Sequence, residues 1–273
     1  MERVSYPRAG LTSTGQPFVE LREGEPRLFV FDGLPVHNTV PEGLMLQGVA
    51  DAYREYARAY SVVVFFPPIA NAVGLTIPEV ARIYVDSMKE FGPEPAHVIG
   101  VAYGGMVALA AAALFPDAID RLAVVTAAYR LGADARAAIP GWIDLARERR
   151  WRDLHRAMSE AIRTGVVSRG FFGTISWLFP GLLGTPDDAE QFIGALESLA
   201  ACDVSSQLPA IRAATLVLGG DRDFYYPEDE IRVTADKIAR SELRIFEKTG
   251  HDAVKTRAEE IETAVLEFLA RES

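Results

Sequence analysis

The sequence predicts an α/β fold in which a mostly parallel central sheet is covered by helices on both faces and carries a helical insertion. Three observations lead there. Short runs such as SVVVFF at Ser61 to Phe66 are apolar or β-branched almost throughout, the pattern of strands buried on both faces. Those runs alternate with amphipathic helical stretches, the order that builds parallel strands. From about Asp134 to Ser205 the alternation stops and the sequence reads as helix. The expected division is a core of residues 1–133 and 206–273 with a helical lid (cap) of residues 134–205.

Taken in order, Phe18 to Glu23 and Arg27 to Phe31 (RLFVF) read as the first strands, followed by the turn Asp32-Gly33-Leu34-Pro35. Leu44 to Tyr60 has helical spacing of its apolar residues. Pro67-Pro68 stops the strand SVVVFF, because proline cannot donate to a ladder. Ile77 to Phe91 reads as a helix with Pro78 in its first turn, where the missing N–H is tolerated. His97 to Val101 is a strand running straight into the Ala-rich helix Gly104 to Phe115, and Leu122 to Thr126 is another buried strand. After the insertion come the strand Thr215 to Leu218 (TLVL), a helix from Pro227, the strand Glu242 to Phe246 and a closing helix from Thr256 to Arg271.

Composition limits the partners. Apolar residues make up 49% of the 273-residue chain, ample for a buried core. The formal charge of −10 is spread along the sequence, which argues against nucleic acid and against an anionic membrane. The one basic run, Arg147 to Arg156 (RERRWRDLHR), is interrupted by Glu148 and Asp153 and reads as the solvated face of a helix, with His155 exposed. Cys202 is the only cysteine, so no intrachain disulfide forms, and it reads as a small buried apolar residue. The first residues carry no apolar h-region and no apolar run approaches a membrane span, so the expected location is cytoplasmic. Phosphate loops, dinucleotide fingerprints and metal-ligand spacings are missing, and no cofactor is expected. A homo-oligomer stays open.

The segment HVIGVAYGGMVAL carries the chemistry. A strand ends at Gly100-Val101, a turn of one or two residues follows, and a helix starts at once. With serine at Ala102 it would read G-x-S-x-G, the nucleophile elbow, whose strained turn needs glycines beside it for close strand–helix approach. Two later segments fall in the matching order: TLVLGGDRDF at Thr215 to Phe224, and Thr249-Gly250-His251 after the last strand. On these motifs the chain resembles the α/β-hydrolase superfamily, near its esterase, lactonase and acyltransferase branches, over about residues 18–130 and 206–271.

The resemblance implies a triad of the residue at Ala102, Asp223 as acid and His251 as base. Asp221 and Asp134 compete with Asp223, which can also be read as a helix cap. It implies oxyanion donors at the N–H of Tyr103 and of Leu34, with Gly33 letting the loop approach. Relatives often have His-Gly where this chain has Asp32-Gly33. His37, Trp177 and Tyr225 are expected to touch substrate, and Tyr103 and Tyr226 to add aromatic wall. The apolar segment FFGTISWLFPGLL within the insertion suits packing and a partial roof over the site.

A methyl group cannot attack a carbonyl, so with Ala102 the covalent route is closed. The intact flanking glycines, Asp223, Gly250-His251 and Asp32-Gly33 favour a replaced serine. A natural ligand-binding or receptor-like homologue remains the alternative. The expected substrate is an uncharged, fairly hydrophobic small-molecule ester, lactone or acyl donor, handled by a hydrolase or, with another acceptor, by an acyltransferase. C–C bond hydrolysis is a third outlet of such a site.

Overall fold

A computed structural model describes residues 7–34, 39–68, 74–93, 95–162 and 189–271. Eight strands form one sheet: β1 (Arg8–Leu11), β2 (Pro17–Glu20), β3 (Arg27–Phe31), β4 (Ser61–Phe65), β5 (Ala96–Val101), β6 (Ile119–Val125), β7 (Ala214–Gly220) and β8 (Ser241–Phe246). Their spatial order is β1-β2-β4-β3-β5-β6-β7-β8. The pairs β1–β2 and β2–β4 are antiparallel, and every other neighbouring pair is parallel.

Alternation along the central strands explains their all-apolar sequence. Phe29, Phe31, Val63 and Phe65 join one buried cluster, while Leu28, Val30, Val62 and Val64 join the cluster on the opposite face. The helices α1 (Gly43–Ala52), α2 (Ile77–Met88) and α3 (Tyr103–Leu114) follow β3, β4 and β5. Thr76 and Glu79 form a capping box at the start of α2, with Pro78 in its first turn. Between β6 and β7 lie α4 (Ala133–Arg147), α5 (Trp151–Ile162) and α6 (Ala189–Ala201). The chain closes with α7 (Glu228–Asp236), α8 (Ala253–Thr256), β8 having intervened, and α9 (Ala258–Leu269). No helix among the described residues is long and apolar enough to cross a membrane.

Several sequence expectations need correction. The first strand was expected at Phe18, but β1 precedes it, and β2 ends at Glu20, whose carboxylate is buried against Arg8 and Arg27. The helix expected over Leu44 to Tyr60 stops at Ala52 and is followed by a short 3₁₀ turn, Tyr56–Arg58, that buries Tyr56. The basic run is not one helical face. It is broken between α4 and α5 by Arg149 at φ 55°, and His155 is buried instead of exposed. The reason is the new phase set by α5, which turns Leu154 and His155 inward while Arg150 and Arg156 pair with Asp153 and Glu160 outside. Cys202 is buried with a free thiol, and burial pushes that thiol up to about 12.

The strand order reverses at β3, whose successor β4 lies on one side and β5 on the other. A crevice at the carboxyl ends of β3 and β5 follows from that reversal. There α3 packs so closely that a Cβ on Gly104 would lie 2.0 Å from the Phe31 carbonyl oxygen and 2.5 Å from that of Asp32. Backbone cannot yield as a side chain does. Gly104→Ala is therefore expected to lower stability by about 3 kcal/mol, read from urea unfolding midpoints. Gly219→Ala, whose Cβ would meet chiefly the Cδ1 of Ile231, is expected to cost less in the same measurement.

Candidate active site

The turn from β5 into α3 is made by one residue. Ala102 has φ 49° and ψ −116°, a conformation that costs an L-residue about 1–3 kcal/mol. It is held from both sides. Its N–H donates to the Val125 carbonyl at 3.0 Å, and its own carbonyl accepts from Gly105 and Met106 at 2.9 and 3.3 Å, opening the helix. A Cβ on Gly100 would lie 2.7 Å from the Gly105 Cα, so the glycine pattern read from the sequence is a packing requirement. Thr126, just past the end of β6, also sits at φ 49°, with a buried hydroxyl that has no partner among the described residues.

The loop after β3 comes to the same place. A Cβ on Gly33 would lie 3.8 Å from the Ala102 Cβ. The Gly33 N–H is occupied, donating to Asp32 Oδ1 at 2.8 Å. The N–H groups of Leu34 and Tyr103 have no acceptor among the described residues, and Tyr103 is the first residue of α3, where the helix dipole favours negative charge. The Tyr103 side chain itself is buried in the core that also holds Tyr84 and Tyr226.

Asp223 and His251 meet as the order of motifs implied. His251 Nδ1 lies 2.8 Å from Asp223 Oδ2. The other carboxylate oxygen, Oδ1, accepts from the N–H groups of Tyr225 and Tyr226 at 2.8 and 3.0 Å. The Asp223 side chain is 0% exposed, so these three donors replace its hydration. Asp223 thus closes a local turn and does not cap α7, whose first turn begins after Pro227.

Asp221 has a different task from the one it competed for. It accepts from the Thr249 N–H at 3.0 Å, while the Arg222 N–H donates to the Thr249 carbonyl at 2.9 Å. Backbone donors at Lys248 and Thr249 hold its carboxyl below the usual carboxylate range. The two loops carrying Asp223 and His251 are clamped together by this exchange. Asp134 lies exposed in the first turn of α4.

Aromatic rings surround the pair. Tyr225 and Tyr226 have ring centroids 4.7 and 5.7 Å from His251, and Trp142 of α4 lies 5.7 Å from Tyr225. The buried Tyr225 hydroxyl has no partner among the described residues. Trp142 falls within the 134–205 stretch that the sequence reads as helix, with no local pattern to single it out. His37 and Trp177 lie outside the described residues. The described residues contain no group of three His, Cys, Asp or Glu side chains placed to hold a metal ion.

One functional neighbour had no sequence signal. Tyr53, 21 residues on, donates its hydroxyl to Asp32 Oδ1 at 3.1 Å. Burial, followed by the nearby Asp32 carboxylate, pushes the Tyr53 hydroxyl well up, so it remains a donor. Burial also raises the Asp32 carboxyl, against the lowering effect of its Gly33 and Tyr53 bonds.

Comparison with known proteins gives a consistent result. The sequence model of the alpha/beta hydrolase family matches residues 21–264. A homoserine O-acetyltransferase of Thermus thermophilus is 26% identical over 234 residues, covering 75% of this chain and 59% of its own length. Among solved structures, an alpha/beta hydrolase enzyme from a Medee basin deep-sea metagenome library superposes with a TM-score of 0.79 at 16% identity, covering 94% of this chain and 96% of its own. The enol-lactonase of Burkholderia xenovorans has a TM-score of 0.73 at 17% identity, covering 97% and 100%.

Because the folded-state value of Asp32 lies above the unfolded one, Asp32 favours folding most at low pH, below its unfolded value of about 4. That contribution is lost as pH rises through the folded value. Asp32→Asn keeps an acceptor for Gly33 and Tyr53. Its unfolding free energy relative to the parent chain is expected to improve as pH rises from the unfolded value of about 4 through the raised folded one, and to level off above it. Denaturant titrations at several pH values read this; a difference independent of pH would contradict it.

Proposed function

The chain belongs to the alpha/beta hydrolase family, and on that premise we propose that its site is built to cleave a carboxylic ester or lactone of a fairly hydrophobic small molecule through an acyl-enzyme. Ala102 stands where the nucleophilic serine is needed, so this chain as it stands makes no acyl-enzyme. The observations that carry the reading are the 2.8 Å bond between His251 Nδ1 and the fully buried Asp223, and the elbow residue Ala102 held at φ 49°.

In this reading Asp223 fixes the imidazole so that Nε2 is the basic nitrogen. With a hydroxyl at position 102, Nε2 takes its proton as it attacks the carbonyl and returns the proton to the leaving alkoxide. The N–H groups of Leu34 and Tyr103 receive the developing oxyanion, with Gly33 leaving room for it. Water then repeats the sequence on the acyl-enzyme. Tyr225, Trp142, His37 and Trp177 contact the apolar part of the substrate, and residues 134–205 act as its lid. Support for that lid comes from Trp142 of α4, packed on Tyr225.

The same acyl-enzyme with an alcohol as acceptor would be an acyltransferase, a reading favoured by the likeness to a homoserine O-acetyltransferase. A ligand-binding homologue is the reading favoured by Ala102 itself.

The test is Ala102→Ser, compared with the parent chain on short and medium acyl p-nitrophenyl esters and a set of lactones. A burst followed by turnover at least about a thousandfold above the parent is expected. Added alcohol that diverts the acyl group faster than water would select the acyltransferase. Inertness of both chains across the panel would contradict the acyl-enzyme reading and favour the ligand-binding one. Asp223→Asn made together with Ala102→Ser is expected to lower kcat by about 10⁴, through loss of the correct tautomer.

A further inference from the structure

We infer that the chain with Ala102 is a proton-transfer catalyst in its own right, abstracting a proton from carbon next to the carbonyl of an apolar ketone and holding the enolate. The inference rests on the base and oxyanion donors of the proposed function but does not need its nucleophile. Three features of the site meet that need. His251 Nδ1 is bonded to Asp223, which leaves Nε2 as the basic nitrogen. The N–H groups of Leu34 and Tyr103 lack acceptors among the described residues and lie on the loop after β3 and at the start of α3, which meet at Ala102. In place of a nucleophile the elbow offers a methyl group.

A base and an oxyanion site without a nucleophile are the minimum for enolisation. Negative charge builds mainly on the carbonyl oxygen, with part of it on the α carbon, and no bond to the protein forms. In the proposed function a serine hydroxyl here bonds to Nε2 and presents an oxygen to the carbonyl carbon. The methyl of Ala102 does neither, so the base is left free for the substrate's own C–H. Tyr225, Tyr226 and Trp142 supply an aromatic surround, which suits a ketone with an aryl or alkyl substituent and lowers the local dielectric.

The step balances within the site. The α C–H bond breaks, its electron pair forms the enolate C=C as the carbonyl electrons move onto oxygen, and the proton goes to His251 Nε2. The proton on Nε2 is replaced by one from solvent, and its delivery to the same carbon gives exchange. Return to a different carbon of a conjugated substrate gives an isomer. No oxidant, reductant or co-reactant enters.

The probe is phenylacetone in D₂O, with loss of its methylene signal followed by proton NMR. The parent chain is expected to exchange the methylene protons about 100-fold faster than the same concentration of the His251→Gln variant. Asp223→Asn, which keeps His251, is expected to slow exchange at least about tenfold and serves where His251→Gln does not fold. Ala102→Ser is expected to slow exchange as well, because its hydroxyl occupies Nε2.

Exchange by the parent no faster than by folded His251→Gln or Asp223→Asn overturns the inference. Exchange undiminished by Ala102→Ser overturns the role given to the missing hydroxyl. Ester turnover by Ala102→Ser with no exchange by the parent sinks this inference and leaves the acyl-enzyme reading standing. Exchange by the parent with no ester turnover by Ala102→Ser does the reverse.

Discussion

The chain reverses from β5 into α3 within a single residue, and that reversal sets the demands on everything around it. Ala102 is held at φ 49° by hydrogen bonds to β6 and into its own helix. So tight a turn brings the helix onto the strand and onto the loop after β3, which is why Gly100, Gly104 and Gly105 cannot carry side chains without displacing backbone or a packed neighbour. The first amide of α3 and the Leu34 amide are left without acceptors among the described residues. Alanine has no need of this geometry for its own packing. Its conformation follows from the frame, which stores the strain whatever side chain the residue carries.

A second set of ties links Asp223, His251 and the segment between β6 and β7. Asp221 clamps the His251 loop to the Asp223 loop, and a Cβ on Gly220 would lie 2.1 Å from the Thr249 carbonyl oxygen. The segment between β6 and β7 is tied to the same region near both of its ends. Gly132 donates to the Tyr225 carbonyl at 2.8 Å, and Val204 donates to the Tyr129 carbonyl at 3.1 Å. Ile139 and Trp142 of α4, with Phe192, Ile193 and Leu196 of α6, join the same buried cluster as Tyr103 and Tyr225. Helix α4 therefore reaches His251 through Trp142 and Tyr225, and a change in its position would be felt at Tyr225 first.

Much of this was legible in the sequence because it rests on local patterns. Runs such as Val62-Val63-Val64 announce strands buried on both faces, and a strand that runs into Gly104-Gly105 announces a tight turn into a helix. Ala102, Asp223 and His251 follow β5, β7 and β8, so all three lie past the carboxyl ends of parallel strands. What escaped depends on distance. Strand β1 is a short edge strand, RAGL, without an apolar run, and only its pairing with β2 defines it. His155 is buried because a break at 148–150 resets the helical phase, which charge patterning alone does not reveal. The Asp32–Tyr53 bond and the Asp221–Thr249 clamp join residues 21 and 28 positions apart, and no spacing rule connects them.

All of the chemistry assigned to this site needs one proton on one nitrogen: Nδ1–H of His251 bound to Asp223, with Nε2 carrying the lone pair. Nitrogen-15 NMR of the four histidines, at a pH where the rings are neutral and with His251→Gln to assign the signal, reads that directly. A neutral His251 held as the Nδ1–H tautomer in the parent chain, and released to a tautomer mixture by Asp223→Ala, is the expected result. An Nε2–H tautomer, or a mixture indifferent to Asp223, would contradict the assignment of His251 as the base.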